Sequence, residues 1–379
     1  MVTILAWITV CALGLVMVLR MVAWDAASPL VIANALTPEL YLPAWLVATL
    51  ALARRHRALG IVALVVVAGQ VALMVPEITA AGPVPAWAAH APSLRVLDAN
   101  VYAGNPTMAG YGRAIAADHP DLVTLQEASA GDLAQLRRSG ALAGLPHRVE
   151  LARRGTAAMV LASRYPLGPT TVRTMHGDPY VVQTSVLLPS GTVDLWVVHT
   201  VAPLPSTWRT WSDELASLQQ LVADQLHPVA GQGAAAGQTG STGTPRSTGT
   251  PRSTGTPRST GTPRSTGTPR STGTPRSTGQ GTRGEQQNAR LLVVGDFNAT
   301  WQNKWFRRLL AGGLVDGAAA RAHAFDMTWS QTMPVLPPLV RIDHVLTGAG
   351  LTVTRISTGA GPGSDHRLIR ATVAVRPAG

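Results

Sequence analysis

The sequence predicts an α/β sandwich preceded by about three transmembrane helices. Three long apolar runs lie within the first 76 residues. From about Leu94 onward, strand-like and helix-like segments alternate, and β-rich stretches follow late in the chain. This order of elements is typical of an α/β domain. A tandem hexapeptide repeat interrupts the domain between two of its predicted elements.

The composition favours a chain that lies partly in lipid. Of the 379 residues, 46% are hydrophobic and 13% are charged, whereas an ordinary soluble domain has about 25% charged residues. A wholly disordered chain is therefore excluded. The only cysteine is Cys11, which excludes an intramolecular disulfide framework and a cysteine zinc site.

The net charge of +11 is concentrated in one segment. Residues 241–283 contain seven arginines and no acid, so they account for +7. The first 93 residues carry +1, and the rest of the chain carries +3. The basic character is local, and it does not indicate a nucleic-acid-binding surface.

The first and third apolar runs each predict a membrane span. The segments 2–19 and 58–75 are 18 residues long and uncharged, which is enough to cross a bilayer. A signal peptide is the alternative for the first run, but no basic residue precedes it and Arg20 follows it. A buried soluble hairpin is the alternative for the later runs, although no polar pattern marks one face of the third.

The second run is weaker, and the loop after it predicts the topology. Thr37-Pro38-Glu39 resembles a helix start. The run from Leu40 to Ala53 is short for a crossing unless it begins near Leu30. The following Arg54-Arg55-His56-Arg57 cluster favours a cytoplasmic loop. Three spans would then place everything after residue 76 outside the cell membrane.

These observations divide the chain into four parts. We predict a multi-pass membrane anchor at 1–76, a Pro/Ala-rich stalk at 77–93, a domain at 94–230 and 284–379, and a disordered insertion at 231–283. The insertion contains Ser-Thr-Gly-Thr-Pro-Arg six times from Ser241 to Arg276 and has no residue for a core. A tolerated expansion is favoured, and binding of anionic lipids or envelope polymers through its arginines is the alternative.

Local patterns predict the elements of the domain. After Ser206, which is expected to cap a helix, Trp208, Trp211, Leu215 and Leu218 recur at helical spacing. A second helix is expected at Met108–His119. The strands are expected at Leu94–Val101, Asp121–Gln126, Ala157–Ala162, Tyr180–Leu188, Thr192–His199, Leu291–Val294, Arg341–Leu346, Leu351–Ile356 and Leu368–Val375.

Polar side chains lie at strand ends, each immediately after an apolar run. They are Asn100, Glu127, His199, Asp296, Asn298, Asp343, Asp365 and His366. Groups at strand ends are held rigidly, and carboxylate and amide oxygens suit Mg²⁺ or Mn²⁺ better than Zn²⁺. A carboxylate beside a histidine can orient it as an acid or base. Taken singly, each could be a turn residue or a buried imidazole.

In this order, the motifs resemble those of the endonuclease/exonuclease/phosphatase superfamily. This superfamily includes DNase I-like nucleases, sphingomyelinases and inositol-polyphosphate phosphatases. The motifs are Asn100, Leu-Gln-Glu127, Ser163-Arg-Tyr-Pro, His199-Thr with Pro203, Gly-Asp296-Phe-Asn298, Ile-Asp343-His and Ser364-Asp365-His366. The three preceding spans resemble a bacterial membrane-anchored branch that includes proteins linked to teicoplanin-type glycopeptide resistance.

The resemblance implies a four-layer α/β/β/α sandwich with the site at one edge of the two sheets. It also implies phosphoester hydrolysis by in-line attack of water, without a covalent intermediate. Glu127 is expected to be the principal ligand of a Mg²⁺ or Mn²⁺ ion, with Asn100 and Asp365 completing or supporting the metal site.

The resemblance also implies roles for the remaining site residues. Asp296 is expected to orient or deprotonate water, and Asn298 to contact the phosphate. His366 is expected to pair with Asp343 as an acid/base or phosphate-stabilising dyad, and His199 to contact the phosphate or protonate the leaving group. The choice of base between Asp296 and His366 stays open.

Three functions are compatible with the sequence. The favoured one is a membrane-anchored, extracytoplasmic, metal-dependent phosphatase or phosphodiesterase acting on a membrane-associated substrate, such as a lipid phosphate or pyrophosphate. The second is an extracytoplasmic DNA nuclease, although no basic or aromatic loops that would grip nucleic acid were identified. The third is a non-enzymatic envelope scaffold, against which the complete set of catalytic positions argues.

Overall fold

The computed structural model of the chain describes residues 1–151, 158–227, 289–333 and 335–377. The predicted insertion at 231–283 lies outside the described residues, so its disorder and its role stay predictions. The division of the chain into four parts likewise stays a prediction.

Five helices form the N-terminal part of the chain. They are α1 (Val2–Ala23), α2 (Ser28–Ala35), α3 (Thr37–Leu40), α4 (Leu42–Ala53) and α5 (Arg57–Ile78). Two of them, α1 and α5, have 22 residues each and are apolar enough to cross a membrane. Between them, the chain bends by 80° where α2 meets the α3–α4 segment. The weak second run is therefore a bent helix pair, and the described residues contain two or three candidate spans.

The packing of these helices fixes their relative directions. Gly14 of α1 faces Val66 of α5, and Gly69 of α5 faces Met17 of α1, so these two helices are parallel. Trp45 of α4 donates to Gln70 of α5 at 2.8 Å, and Gly60 faces Leu52, so α4 and α5 are antiparallel. The start of α1 and the loop between α4 and α5 therefore lie at the same end of the bundle.

The remaining elements form the α/β domain. In chain order they are a 3₁₀ turn (Ala86–Ala89), β1 (Ser93–Asn100), α6 (Ala109–Asp118), β2 (Leu122–Gln126), α7 (Ala130–Arg138), β3 (His147–Leu151), β4 (Met159–Ser163), β5 (Thr171–Met175), β6 (Asp178–Leu188), β7 (Gly191–His199), α8 (Trp208–Leu226), β8 (Leu291–Asp296), α9 (Lys304–Ala311), β9 (Val315–Asp316), α10 (Gly317–Ala320), β10 (Asp343–Thr347), β11 (Leu351–Gly359) and β12 (Leu368–Val375).

Two six-stranded sheets pack face to face. One sheet has the order β11-β12-β1-β2-β4-β3, and the other has the order β5-β6-β7-β8-β10-β9. Alternate side chains of both sheets, such as Val96, Leu195 and Val294, meet in one buried core. Helices α6 and α7 cover the outer face of the first sheet, and α8 and α9 cover that of the second. The predicted four-layer sandwich is confirmed.

Some local predictions were wrong. Ser206 does not cap a helix: α8 begins at Trp208 after Thr207, and no side chain caps it. The Thr207 hydroxyl instead donates to the Ala202 carbonyl at 2.6 Å. Helix α7 was not predicted, although Ser129 and Asp132 form a reciprocal capping box at its start, a pattern that the sequence contains.

The segment between α5 and β1 lies against the domain. The first two residues of the predicted stalk, Glu77 and Ile78, belong to α5. Farther along, the Gly82 N–H donates to the Ala320 carbonyl at 3.3 Å, and the Arg376 guanidinium lies 4.8 Å from the centre of the Trp87 ring.

Candidate active site

The second sheet places three site residues side by side on adjacent strands. His199 at the end of β7 pairs in parallel register with Asp296 at the end of β8. Asp343, the first residue of β10, lies opposite Asp296 in antiparallel register. The backbone register of the three strands is therefore enough to align these three side chains.

Gly295 allows the close approach of β7 and β8 at this point. Its backbone has φ of 131°, and a Cβ atom there would collide with the Val198 carbonyl oxygen. Only glycine satisfies both conditions without strain. The glycine of the Gly-Asp-Phe-Asn motif is thus required by the geometry that brings His199 beside Asp296.

The first sheet supplies Asn100 and Glu127 from the ends of β1 and β2. The Asn100 amide nitrogen donates to Glu127 and to Asp296, at 3.0 Å in each case. The other Glu127 oxygen accepts from the Ala103 N–H at 3.0 Å. Glu127 has φ of 59°, a left-handed conformation that is costly for a side chain of this type. As arranged here, Asn100 is a donor to both carboxylates and links the two sheets.

His366 connects three carboxylates at the same edge. Its Nδ1 lies 3.0 Å from Asp343 Oδ2, and its Nε2 lies 3.7 Å from Asp296 and 4.0 Å from Asp365. The predicted pairing of Asp343 with His366 is present in the structure. With Nδ1 committed to Asp343, Nε2 is the ring nitrogen that faces the cleft.

Asn298 lies in the turn after β8 and is fixed at both ends. Its backbone N–H donates to Asp296 at 2.8 Å, and its amide donates to the Thr200 carbonyl at 2.8 Å. Its φ of 46° is left-handed, which asparagine tolerates better than most residues. The turn therefore orients Asp296 as well as Asn298.

The charged side chains of the candidate site shift each other's pKa values. Burial raises the pKa of Glu127, but hydrogen bonds from His199 and Asn100 outweigh it and bring the pKa to about 2. Burial lowers the pKa of His366, but the charge of Asp343 and then that of Asp296 outweigh it and raise the pKa to about 10. Burial and the Asp343 charge raise the pKa of Asp296 to about 6.

The donor set fits a divalent cation. Ligand atoms of Asp296, Asp343 and His366 all lie within 4.8 Å of one another, and Glu127 joins them through Asn100. Among the described residues, the ion pairs of these carboxylates are with histidines alone, and no arginine or lysine pairs with them. Buried carboxylates without a fixed cation are a suitable oxygen site for Mg²⁺ or Mn²⁺. We call these residues, with His199 and Asp365, the catalytic cluster.

The structure adds residues that the sequence analysis missed. Trp329 donates from its indole nitrogen to Asp365 at 2.9 Å. Asp98, two residues before Asn100, is fully buried, and its Oδ2 has no hydrogen-bond partner within the described part of the chain. Burial raises the pKa of Asp98 to about 7. The position of Asp98 within β1 was a detectable signal, because a carboxylate inside a buried strand is rare.

A second group of buried charges joins the helices α1–α5 to the domain. We call it the interface cluster; it consists of Arg20, Asp25, Glu77, Asp316 and Arg341. Arg341 donates to Asp316 at 2.7 Å and to Glu77 at 3.1 Å. Arg20 donates to Gln302 at 2.9 Å, and Gln302 donates to Glu77 at 3.2 Å.

The interface cluster holds the loop that follows the Gly-Asp-Phe-Asn motif. The Lys304 N–H donates to Asp25 at 2.6 Å, and the Asn303 amide donates to the Val31 carbonyl at 3.1 Å. On the neighbouring loop, the Ser28 hydroxyl donates to the Pro203 carbonyl at 3.1 Å. The loops that carry Asn298 and His199 are therefore bonded to α1 and α2 or to the turn between them.

The Endonuclease/Exonuclease/phosphatase family matches residues 99–366, which is most of the chain, and the chain belongs to this family of phosphoester hydrolases. No curated protein matches the chain.

Solved structures share the fold at low sequence identity. TDP2 from Caenorhabditis elegans is 12% identical, each chain covers 75% of the other, and the TM-score is 0.50. An endonuclease/exonuclease/phosphatase from Beutenbergia cavernae is 16% identical over 75% of this chain and 72% of that chain, with a TM-score of 0.47. The 3' phosphatase NExo from Neisseria, bound to a product DNA hairpin, is 14% identical over 73% and 98%, with a TM-score of 0.47.

Proposed function

We propose that the chain is a membrane-anchored phosphoesterase whose substrate is a phosphate or pyrophosphate ester held in the bilayer. The observation that carries this proposal is that the loops carrying Asn298 and His199 are hydrogen-bonded to α1, to α2 or to the turn between these helices. Pro203, which accepts from Ser28, is four residues from His199, so the two Cα atoms are at most about 14 Å apart. His199 is therefore close to a residue that is hydrogen-bonded to α2. This proximity favours a substrate whose phosphate lies at the membrane surface.

The chain's own residues support in-line hydrolysis. A water molecule attacks phosphorus, the ester P–O bond breaks, and the leaving oxygen takes a proton. Asp296, held by Asn298 and Asn100, is placed to orient that water and accept its proton. His366, held by Asp343, presents Nε2 to the cleft as a donor to the phosphate or the leaving group.

Glu127, with Asn100 beside it, and Asp365 would hold the divalent cation next to the group of Asp296, Asp343 and His366. When bound, a Mg²⁺ or Mn²⁺ ion supplies positive charge that stabilises the additional negative charge on the phosphoryl oxygens. Burial lowers the pKa of His199, but Glu127 and Asp296 outweigh this effect, so the pKa is raised overall. His199 is placed to donate to the same oxygens. The cluster thus combines a basic oxygen for water with donors for phosphate.

The proposed location is the outer face of the cell membrane. The parallel arrangement of α1 and α5 supports it, because the Arg54–Arg57 loop then lies at the end of the bundle away from the domain. Basic loops favour the cytoplasm. Protease added to intact spheroplasts is expected to cleave the domain; full protection until lysis would reverse the topology.

The substrate class is tested with the full chain in detergent with Mg²⁺. Lipid phosphates, lipid pyrophosphates, nucleotides and plasmid DNA are compared, with Glu127→Gln as the inactive control. We expect the lipid substrates to be hydrolysed with the highest kcat/KM. Preferential cleavage of plasmid DNA would assign the chain to the nuclease alternative, and no turnover of any substrate would favour the scaffold alternative.

A further inference from the structure

An uncharged apolar loop lies beside the candidate active site. Residues 327–340, which we call the apolar loop, contain no charged side chain and include three prolines. Val335 is 88% exposed and Leu336 is 51% exposed. A proline has no backbone N–H, so this loop has fewer donors to desolvate in lipid than an ordinary loop of its length.

The base of the apolar loop is fixed to the catalytic cluster. Besides the indole bond from Trp329 to Asp365, the Gln331 N–H donates to the Asp365 carbonyl at 2.9 Å. The Gln331 amide donates to carbonyl oxygens of the same segment, including that of His366 at 2.9 Å. The Leu339 N–H closes the loop by donating to the Trp329 carbonyl at 2.9 Å. The base is therefore held in place, and Val335 and Leu336 lie exposed beyond it.

The same base lies against the ends of the anchor helices. Phe325, Leu339 and Val340 line a crevice together with Ala35, Pro38 and Glu77. Glu77 is in the last turn of α5, where this helix meets the domain. Val335 is four residues from Leu339, so its Cα lies at most about 14 Å from the base. Phe325, at 50% exposure, extends the apolar surface beside the loop.

We propose that the tip of the apolar loop inserts into the bilayer that holds the anchor, at the boundary between headgroups and acyl chains. The inference rests on the proposed placement of α1, α4 and α5 in a membrane. Phe325, Leu339 and Val340 line a crevice with Glu77 at the end of α5, and an uncharged surface fits acyl chains rather than a charged partner. Insertion holds the Trp329–Asp365 edge of the site against the membrane surface, where the phosphate of a lipid enters.

Single-cysteine spin labelling tests this proposal in the full chain. Cys11 is the only cysteine and lies exposed in α1, so a label there reports the bilayer. Cys11→Ser combined with Val335→Cys places the label at the loop tip. Cys11→Ser combined with Leu187→Cys is the matched control, because Leu187 is also an exposed apolar residue and lies at the end of β6 away from His199.

The measurement is the accessibility of each label to oxygen and to a water-soluble nickel chelate, in liposomes of anionic and zwitterionic phospholipids. We expect the oxygen-to-nickel ratio at 335 to be several-fold higher than at 187 and to approach that at Cys11. A label at 336 is expected to give the same result. A ratio at 335 equal to that at 187, with a bilayer ratio at Cys11, would overturn loop insertion alone. A water-like ratio at Cys11 would overturn the membrane placement and the loop proposal together.

Discussion

The catalytic cluster and the interface cluster are both buried groups of charge, but they are neutralised differently. In the interface cluster, arginines accompany the acids: Arg341 bonds to both Asp316 and Glu77. In the catalytic cluster, four carboxylates share two histidines, and no described arginine or lysine pairs with them. A buried charge without a partner is costly. Asp316 and Glu77 therefore have a cation from the chain itself, whereas the catalytic cluster provides a place for a bound cation.

Removal of divalent cations is expected to affect the catalytic cluster and not the interface cluster. Chelation with EDTA should abolish phosphoester turnover, because the carboxylates then repel one another and the phosphate. Adding Mg²⁺ or Mn²⁺ back should restore it. Phosphate release from a small soluble phosphoester checks this expectation, and wild-type turnover in EDTA would contradict it.

Within the catalytic cluster, His366 and Asp343 should behave as one unit. His366→Ala should lower kcat by about 10²- to 10⁴-fold, as general acid–base groups do. Asp343→Asn should lose much of the same effect, because it removes the charge that fixes the imidazole tautomer.

A double-mutant cycle on kcat distinguishes this dyad from two independent residues. The combined variant should be far less than additive relative to the two single variants. Fully additive losses would show that Asp343 does not act through His366. Thermal unfolding of all three variants controls for damage to the fold.

Within the interface cluster, removing the two ion pairs of Arg341 should destabilise the protein. Arg341→Met leaves Asp316 and Glu77 buried without their cation, and we expect a loss of about 3–5 kcal/mol in the free energy of unfolding. Removing all three charges together, with Arg341→Met, Asp316→Asn and Glu77→Gln, should recover much of that loss.

The measurement is denaturant unfolding in detergent, with Arg138→Met as the exposed control. The control should stay within about 0.5 kcal/mol of wild type. A triple variant less stable than Arg341→Met would mean that the charges contribute individually, and the comparison between the two clusters would lose its basis.

The smallest expected effect is a pH dependence from Glu214, which accepts from the Val201 N–H beside the catalytic cluster. Burial raises the pKa of Glu214 from 4.5 to about 7. The folded state therefore keeps the proton longer than the unfolded state, and the contribution of Glu214 to stability is lost as pH rises from about 4.5 through 7.

Unfolding of wild type and Glu214→Gln across pH 4 to 8 checks this sign. Wild type should lose stability relative to the variant over that interval. A difference that grows in favour of wild type as pH rises would mean that Glu214 is ionised in the folded protein.

The sequence predicted most of the catalytic cluster because its residues lie at the ends of buried strands or in short motifs beside them; Asp343 begins β10, and His366 precedes β12. Asp296 and His199 lie in short motifs, and the strand register then brings them together. Trp329 was missed because its indole reaches Asp365 across 36 residues, and no local pattern encodes that contact.

The interface cluster could not be predicted as a contact, although two of its members gave a signal. Arg20 and Glu77 are single charges at the ends of apolar runs that form candidate membrane spans. Their partners Gln302 and Arg341 lie 282 and 264 residues away, and only the tertiary fold defines such pairs. The bend between α2 and α4 was also missed, because Thr37-Pro38 predicts a helix start but not the angle to the helix before it.

Direct binding of Mn²⁺ to the full chain tests the central claim, that the catalytic cluster is completed by a cation and the interface cluster is not. Electron paramagnetic resonance of free Mn²⁺ gives the affinity for wild type, Glu127→Gln and Glu77→Gln. Both variants remove one buried carboxylate charge and keep the side-chain size. Glu127→Gln is expected to lose high-affinity Mn²⁺ binding, while Glu77→Gln is expected to bind Mn²⁺ like wild type. Equal affinity in all three proteins, or a loss confined to Glu77→Gln, would contradict it.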